Sequence, residues 1–258
     1  MVSEFTQVIL QIDGPRATLL FNRPERVNAL TQTLINEALR ASEHVAGLKD
    51  VRVLVVQGVG RAFSSGVDYK AAADPGYSKE ALSGEARRLL HTWQTMPQVT
   101  IAAVRGACYA GGLSLAVGLD LLLCSEDAQF CDNHATLGLH STWGMTQRLP
   151  RLIGVQRARE MSFTARRVSG REALDLGLVL DAVPVEELDA RVDALANAII
   201  AVSPGSVAAY KDLYRLSQNL SLDEGVLHEA TARYRIEDRK ARQATTFRGA
   251  GGHAPKPT

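Results

Sequence analysis

Chemistry in this chain has to come from a few loops where glycines and polar residues follow short apolar runs. The clearest is Gly106-Ala107-Cys108-Tyr109-Ala110-Gly111-Gly112, which follows a strand-like stretch and opens a helix-like one. Paired glycines at a helix start let a ligand approach the backbone closely, and the free N–H groups there can stabilise a negative oxygen. Tight helix packing would use the same glycines, and both readings stay open on this loop alone. A second donor loop is Ala62-Phe63-Ser64-Ser65-Gly66-Val67-Asp68, again after a strand and a glycine turn, so two loops could face one cleft.

Other chemistries are excluded by spacing. Gly58-Val59-Gly60 begins like a dinucleotide fingerprint, but Phe63 stands where the third glycine is needed. No Lys-Ser/Thr follows the glycines of 106–112, so that loop is not a phosphate-binding P-loop. Neither HExxH nor a spaced Cys/His set is present, and no metal is expected.

The elements that must position these loops read as α/β. Strands are expected at 8–12, 17–21, 53–57, 100–104, 119–125 and 179–183, bounded by Gly, Pro, Asn or Asp. Helices are expected at 31–46, with Thr31 as N-cap, at 79–95, and from Gly111. Later helices are expected near 155–163, 170–176, 184–202, 205–217 and 222–243. This gives an α/β core over 1–203, a helical C-terminal region over 204–247 that covers the pocket or joins subunits, and a disordered tail over 248–258.

The 258 residues carry 29 Lys plus Arg against 28 Asp plus Glu, so a formal charge of +1 offers no field for nucleic acid or an anionic membrane. No apolar run reaches the roughly 20 residues that span a bilayer. Three cysteines without a CxxC pair, and no signal-peptide pattern, lead to the expectation of a cytoplasmic protein.

The order of NRPERVNAL (22–30), RAFSSGVDYK (61–70), IAAVRGACYAGGLSLAVGLDL (101–121), AQFCDNHATLGL (128–139), TQRLPRLIG (146–154) and SGREALDLGLVLDAVP (169–184) resembles the crotonase superfamily, the enoyl-CoA hydratase/isomerase family, over nearly the whole chain. The resemblance implies an α/β fold built as a spiral of ββα turns, a homotrimer or a dimer of trimers, and an acyl-CoA thioester as ligand. Coenzyme A would enter as part of the substrate, with no tightly bound cofactor. It places the backbone oxyanion donors on Ser65 and Gly111, and Arg26, Ser64, Asp68 and Lys70 beside the CoA moiety. Arg26 and Lys70 are equally readable as solvated cations.

The chain departs from the hydratase pattern where the chemistry is done. The two positions that carry glutamates in hydratases of the family hold Ser114 and His134, and a further acidic position used by dienoyl isomerases and dehalogenases falls on Thr142. Hydration needs a base for water and an acid for carbon, and each missing group costs about 10²- to 10⁴-fold. His134 remains as an acid/base candidate for isomerase-, hydrolase- or decarboxylase-like chemistry. Ser114 and His134 should face each other, which could start a nucleophile or a water-activating pair. Alternatively they simply hydrogen-bond and line a non-catalytic acyl-CoA-binding pocket. Asp132 and Asn133 could orient His134, although neighbours in sequence often point apart. His140, Thr142 and Trp143 are expected to line the acyl end, with Trp143 shortening or flattening it, and His91 is expected to be a partly buried structural residue.

Overall fold

Two sheets, laid down alternately along the chain, build the body of the protein. The computed structural model describes residues 5–71 and 77–250. The larger sheet runs β1 (Val8–Asp13), β2 (Arg16–Phe21), β3 (Val53–Gly58), β5 (Val99–Val104), β7 (Leu121–Ser125) and β10 (Asp181–Val183) in that spatial order. Only the β1–β2 pair is antiparallel. The smaller sheet has the order β4 (Ala62–Ser64), β6 (Ala107–Tyr109), β8 (Gln129–Cys131) and β9 (Val168–Ser169).

β3 and β5 read as unbroken apolar runs because parallel central strands are covered on both faces. On one face lie α1 (Gln32–Ala46) and α2 (Lys79–Thr95). Thr31 Oγ1 accepts from Leu34 N at 3.0 Å, and Ser78 Oγ from Ala81 N at 3.1 Å, each supplying a partner to an orphan donor at its helix start. Leu34, Ile35, Ala38, Ala41 and Val45 form the buried stripe of α1 at helical spacing. Trp93 of α2 is fully buried and its indole N–H donates to Ser42 Oγ at 2.8 Å. The opposite face, with Val53, Val55, Ile101 and Leu123, is covered by Leu188, Val192 and Ala196 of α7 (Leu188–Ala201).

Each of β3, β5 and β7 crosses from the large sheet into a three-residue strand of the small one and then into a helix: β4 and α2, β6 and α3 (Gly111–Ala116), β8 and α4 (Met145–Ile153). This is the spiral of ββα turns. It brings the loops after β4, β6 and β8 to one place, outside the carboxyl ends of parallel strands, where ligands bind in open α/β sheets.

α5 (Val155–Thr164), α6 (Gly170–Leu176) and α8 (Pro204–Ser217) lie close to the expected helices. The single helix expected over 222–243 is instead two, α9 (Leu222–Thr231) and α10 (Arg239–Ala250). The intervening chain packs on the start of α8, where a Cβ on Gly205 would meet Arg235 O at 2.9 Å, and Tyr234 donates to Asp212 Oδ2 at 2.9 Å. Tertiary contacts therefore override a helical pattern that has no breaker. α10 also extends three residues into the expected tail, while 251–258 fall outside the described residues. His91 is exposed rather than partly buried. Among the described residues no single helix is long and apolar enough to cross a membrane, and no group of side chains is arranged to hold a metal.

Candidate active site

The two glycine-bearing loops abut. A Cβ on Gly112 would sit 2.8 Å from both the Cβ and the carbonyl oxygen of Ser64, so only glycine lets the start of α3 come this close to the end of β4. Gly66 lies beside Gly111, a built Cβ falling 3.6 Å from Gly111 N. Ala110, between β6 and α3, has φ 44° and ψ −110°, a conformation an alanine seldom adopts, and its N–H is held by Cys131 O at 2.9 Å. That bond ties the end of β8 to the same turn.

The expected oxyanion donors differ in availability. Gly111 N–H opens α3 and makes no hydrogen bond among the described residues, as the first turn of a helix requires. Ser65 N–H, by contrast, donates to Val27 O at 3.0 Å. Val27 and Asn28 both have left-handed backbone, φ 55° and 49°, and the buried Asn28 amide donates to Val59 O and Ala62 O. That local fold turns the Val27 carbonyl onto Ser65, a contact no sequence pattern announces. The two-donor hole is therefore corrected to one open donor, Gly111, and one committed donor, Ser65, whose hydrogen a ligand oxygen would have to share or capture.

His134 stands just after β8 and is oriented by Asp132. Its ring Nδ1–H donates to Asp132 Oδ1 at 2.6 Å, and the same oxygen accepts from the His134 backbone N–H at 3.3 Å. The second bond is an Asx turn, and it explains how residues two apart come to face each other. Burial pushes the Asp132 carboxyl up, but hydrogen bonds from His134 and Ser162 outweigh it and hold it below the ordinary carboxylate range. An ionised acceptor keeps the ring proton on Nδ1, so a neutral His134 presents Nε2 as a lone pair. Nε2 makes no hydrogen bond among the described residues.

Ser114 does not join it. Its residue surface is 1% exposed, and its hydroxyl donates to Ala110 O, one turn back in its own helix, at 3.1 Å. No hydrogen bond links Ser114 to His134, so both the expected nucleophilic pair and the simple paired arrangement are corrected. The thiols offer no substitute nucleophile: Cys108, Cys124 and Cys131 are all buried, and burial pushes each one up, Cys124 to about 12.

A cavity of about 260 Å³ gathers Gly111, His134, His140, Thr142 and Trp143, and adds Val67, Tyr69, Tyr77, Lys79, Leu82, Ser83 and Leu139. Among the described residues its lining contains no carboxylate, and Ser114 is not part of it. Trp143 is buried, and its indole N–H donates to Ser83 Oγ at 3.2 Å. His140 and Thr142 are exposed at the mouth. The Ser83 anchor and the tyrosines were missed by sequence reasoning as site residues. Asp132 was one of the two neighbours named as able to orient His134, and the Asp-x-His spacing of an Asx turn puts it, rather than Asn133, on the ring.

The four residues expected beside CoA divide into two pairs. Ser64 is fully buried and structural, its hydroxyl donating to Asn28 O and accepting from Gly66 N. Asp68 is tied to Arg23 at 2.9 Å and caps Lys70 N and Ala71 N. Burial pushes its carboxyl up, and Arg23 with these backbone donors pulls it below the ordinary range. Arg26 and Lys70 are exposed cations without an ion pair among the described residues, free to meet phosphates.

Residues 16–250 match the family Enoyl-CoA hydratase/isomerase, which is nearly the whole chain. The chain belongs to the enoyl-CoA hydratase/isomerase family. Among similar proteins, the peroxisomal Delta(3,5)-Delta(2,4)-dienoyl-CoA isomerase of Arabidopsis thaliana is 34% identical over 227 residues, covering 83% of this chain and 82% of its own. A probable peroxisomal enoyl-CoA hydratase from the same plant is 31% identical over 224 residues, covering 87% and 83%. A putative enoyl-CoA hydratase from Thermobifida fusca YX, solved with acetoacetyl-CoA, superposes with a TM-score of 0.80 at 30% identity over 95% of both chains. The enoyl-CoA hydratase of Bacillus anthracis gives 0.87 at 28% identity, over 94% of this chain and 97% of that one. As a member of this enoyl-CoA hydratase/isomerase family, the chain keeps the acyl-CoA fold and the open Gly111 donor while carrying an Asp-oriented histidine in its cavity.

Proposed function

We propose that this family member isomerises an enoyl-CoA thioester, with His134 as the one acid/base and Asp132 as the residue that positions it. The observation that carries the reading is His134, held by Asp132 at 2.6 Å, lining a cavity that also holds Gly111 and, among the described residues, no carboxylate. The thioester oxygen is placed at Gly111 N–H. His134 Nε2 removes a proton from C2 of a 3-enoyl thioester, the charge moves to the carbonyl oxygen, and the proton returns at C4 to give the 2-enoyl product. Nothing is gained or lost overall. One base suffices, whereas hydration asks for two groups. Each well-placed oxyanion donor contributes about 2.7 to 4 kcal/mol to such a transition state. Similarity to the plant dienoyl-CoA isomerase supports the same class of step. Arg26 and Lys70 are assigned to the CoA phosphates.

A second reading, an acyl-CoA-binding protein without catalysis, is favoured by the Ser65 N–H being taken by Val27 O. Incubation with 3-enoyl-, 2-enoyl-, β-keto- and malonyl-type CoA esters separates the two by product mass and absorbance. An isomer of unchanged mass is expected. Gain of water, loss of carbon dioxide or release of free CoA would assign a different reaction, and binding without any product would select the second reading.

The chain is further proposed to assemble as a homotrimer or a dimer of trimers. Tyr210 and Tyr214 of α8 and Leu222, Val226 and Leu227 of α9 are 59–82% exposed, and an apolar stripe of that kind calls for a covering partner. Sedimentation equilibrium is expected to give three or six chains, and a monomer at micromolar concentration would contradict this.

A further inference from the structure

The rings around the cavity indicate which acyl groups it accepts. A Cβ on Gly111 would meet Trp143 Cζ3 at 3.0 Å and Cη2 at 3.3 Å, so the benzene edge of the indole lies against the residue with the open N–H. The pyrrole side of the same ring is tied to Ser83 on the buried face of α2 through the 3.2 Å bond from Nε1. Trp143 thus spans from the oxyanion donor to α2 and is held at both ends, with no freedom to swing aside for a flexible chain. Four further flat rings line the same space: Tyr69, Tyr77, His134 and His140. Among the described residues, three of the twelve that line it are Tyr or Trp, in a chain where Phe, Trp and Tyr make up only 5%. Tyr69 and Tyr77 line the same cavity, and burial and then Tyr77 push the Tyr69 phenol above its ordinary value.

We propose that this cavity selects acyl-CoA thioesters whose acyl group is flat, aromatic or extended and conjugated, over saturated groups of equal size. The inference rests on the acyl-CoA reading above and goes beyond it by naming the acyl class. Flat groups meet aromatic walls in offset or edge-to-face contacts that a puckered or kinked alkyl group cannot make. A wall already locked in place by Ser83 has no rotamer freedom left to lose on binding, whereas a flexible alkyl chain must be ordered.

The test compares dissociation constants of 3-phenylpropanoyl-CoA and 3-cyclohexylpropanoyl-CoA by calorimetry. The two acyl groups have the same carbon count, and neither has a double bond to move. Wild type is expected to bind the phenyl ester about tenfold more tightly, equivalent to about 1.4 kcal/mol. Trp143→Leu should bring the two within about twofold, with the loss on the phenyl side. Ser83→Ala, which keeps the core and only frees the indole, should reduce the preference partway and serves if Trp143→Leu folds poorly. Equal affinities in wild type, or a preference untouched by both variants, would overturn the inference while leaving the acyl-CoA reading intact. Failure of both esters to bind at millimolar concentration would overturn the acyl-CoA reading itself.

Discussion

His134→Ala is expected to lower kcat on the isomerised enoyl-CoA by about 10²- to 10⁴-fold, with the dissociation constant of the CoA ester changed little. The imidazole is asked to move a proton rather than to hold the ligand, so the loss belongs in kcat. Asp132→Asn should follow the same pattern at about 10²-fold, because the amide can turn its NH₂ toward Nδ1 and favour the tautomer in which Nε2 no longer has a lone pair. A purely structural Asp132 would instead show its loss as unfolding with kcat per folded molecule unchanged. Stability supplies a separate readout. The folded carboxyl lies below its ordinary value of 3.8, so its contribution is present above that pH and is lost as the pH falls through the lower folded value. The gap in denaturant stability between wild type and Asp132→Asn should therefore narrow as the pH is lowered past about 3.8.

Lys211→Ala is expected to cost about 3 to 5 kcal/mol of stability, the largest effect of any single change far from the cavity. Its ammonium has acceptors for all three protons: Trp93 O, Gln98 O and Asp120 Oδ2, each at 2.7 Å. The side chain is 8% exposed, and burial pulls its pKa below 10.5 even though Asp120 pushes it up. Asp120 in turn accepts from Thr100 N and Oγ1, so the lysine fastens α8 to the α2–β5 turn and to the start of β5. Removing it leaves the Trp93 and Gln98 carbonyls without their donor and takes one of three donors from Asp120 Oδ2. The expected readout is a lower denaturation midpoint with slower or absent assembly, since α8 carries the exposed Tyr210 and Tyr214. A midpoint within about 1 kcal/mol of wild type would show that solvent replaces the lysine there.

The long elements were legible because their patterns are long. The continuous runs of β3 and β5, the Thr31 cap and the stripe of α1 each repeat a physical rule several times. The strands β4, β6 and β8 were not, since three residues cannot display a period, and their existence depends on pairing with one another across the chain. The sequence pattern contained no break at 232–238 because Tyr234 and Gly205 create it in three dimensions. At the site, the positions of Gly111, His134 and Trp143 followed from motif order, and the cavity brings them together. What stayed hidden was orientation. Ser114 turns back to Ala110 O, Ser65 N–H is taken by a left-handed turn at Val27, and Asp132 faces His134 through an Asx turn. Each of these is decided by one or two hydrogen bonds, which residue types permit but do not select.

The central claim is that His134, held by Asp132, removes a proton from carbon next to a thioester whose oxygen sits at Gly111. Exchange of the C2 protons of butanoyl-CoA in deuterated buffer reads that step alone, without any product being formed. Wild type is expected to add deuterium at C2, seen as a stepwise mass increase of the acyl group, while His134→Ala binds the ester and exchanges at the solvent rate. Binding without exchange in wild type, or equal exchange in His134→Ala, would contradict it.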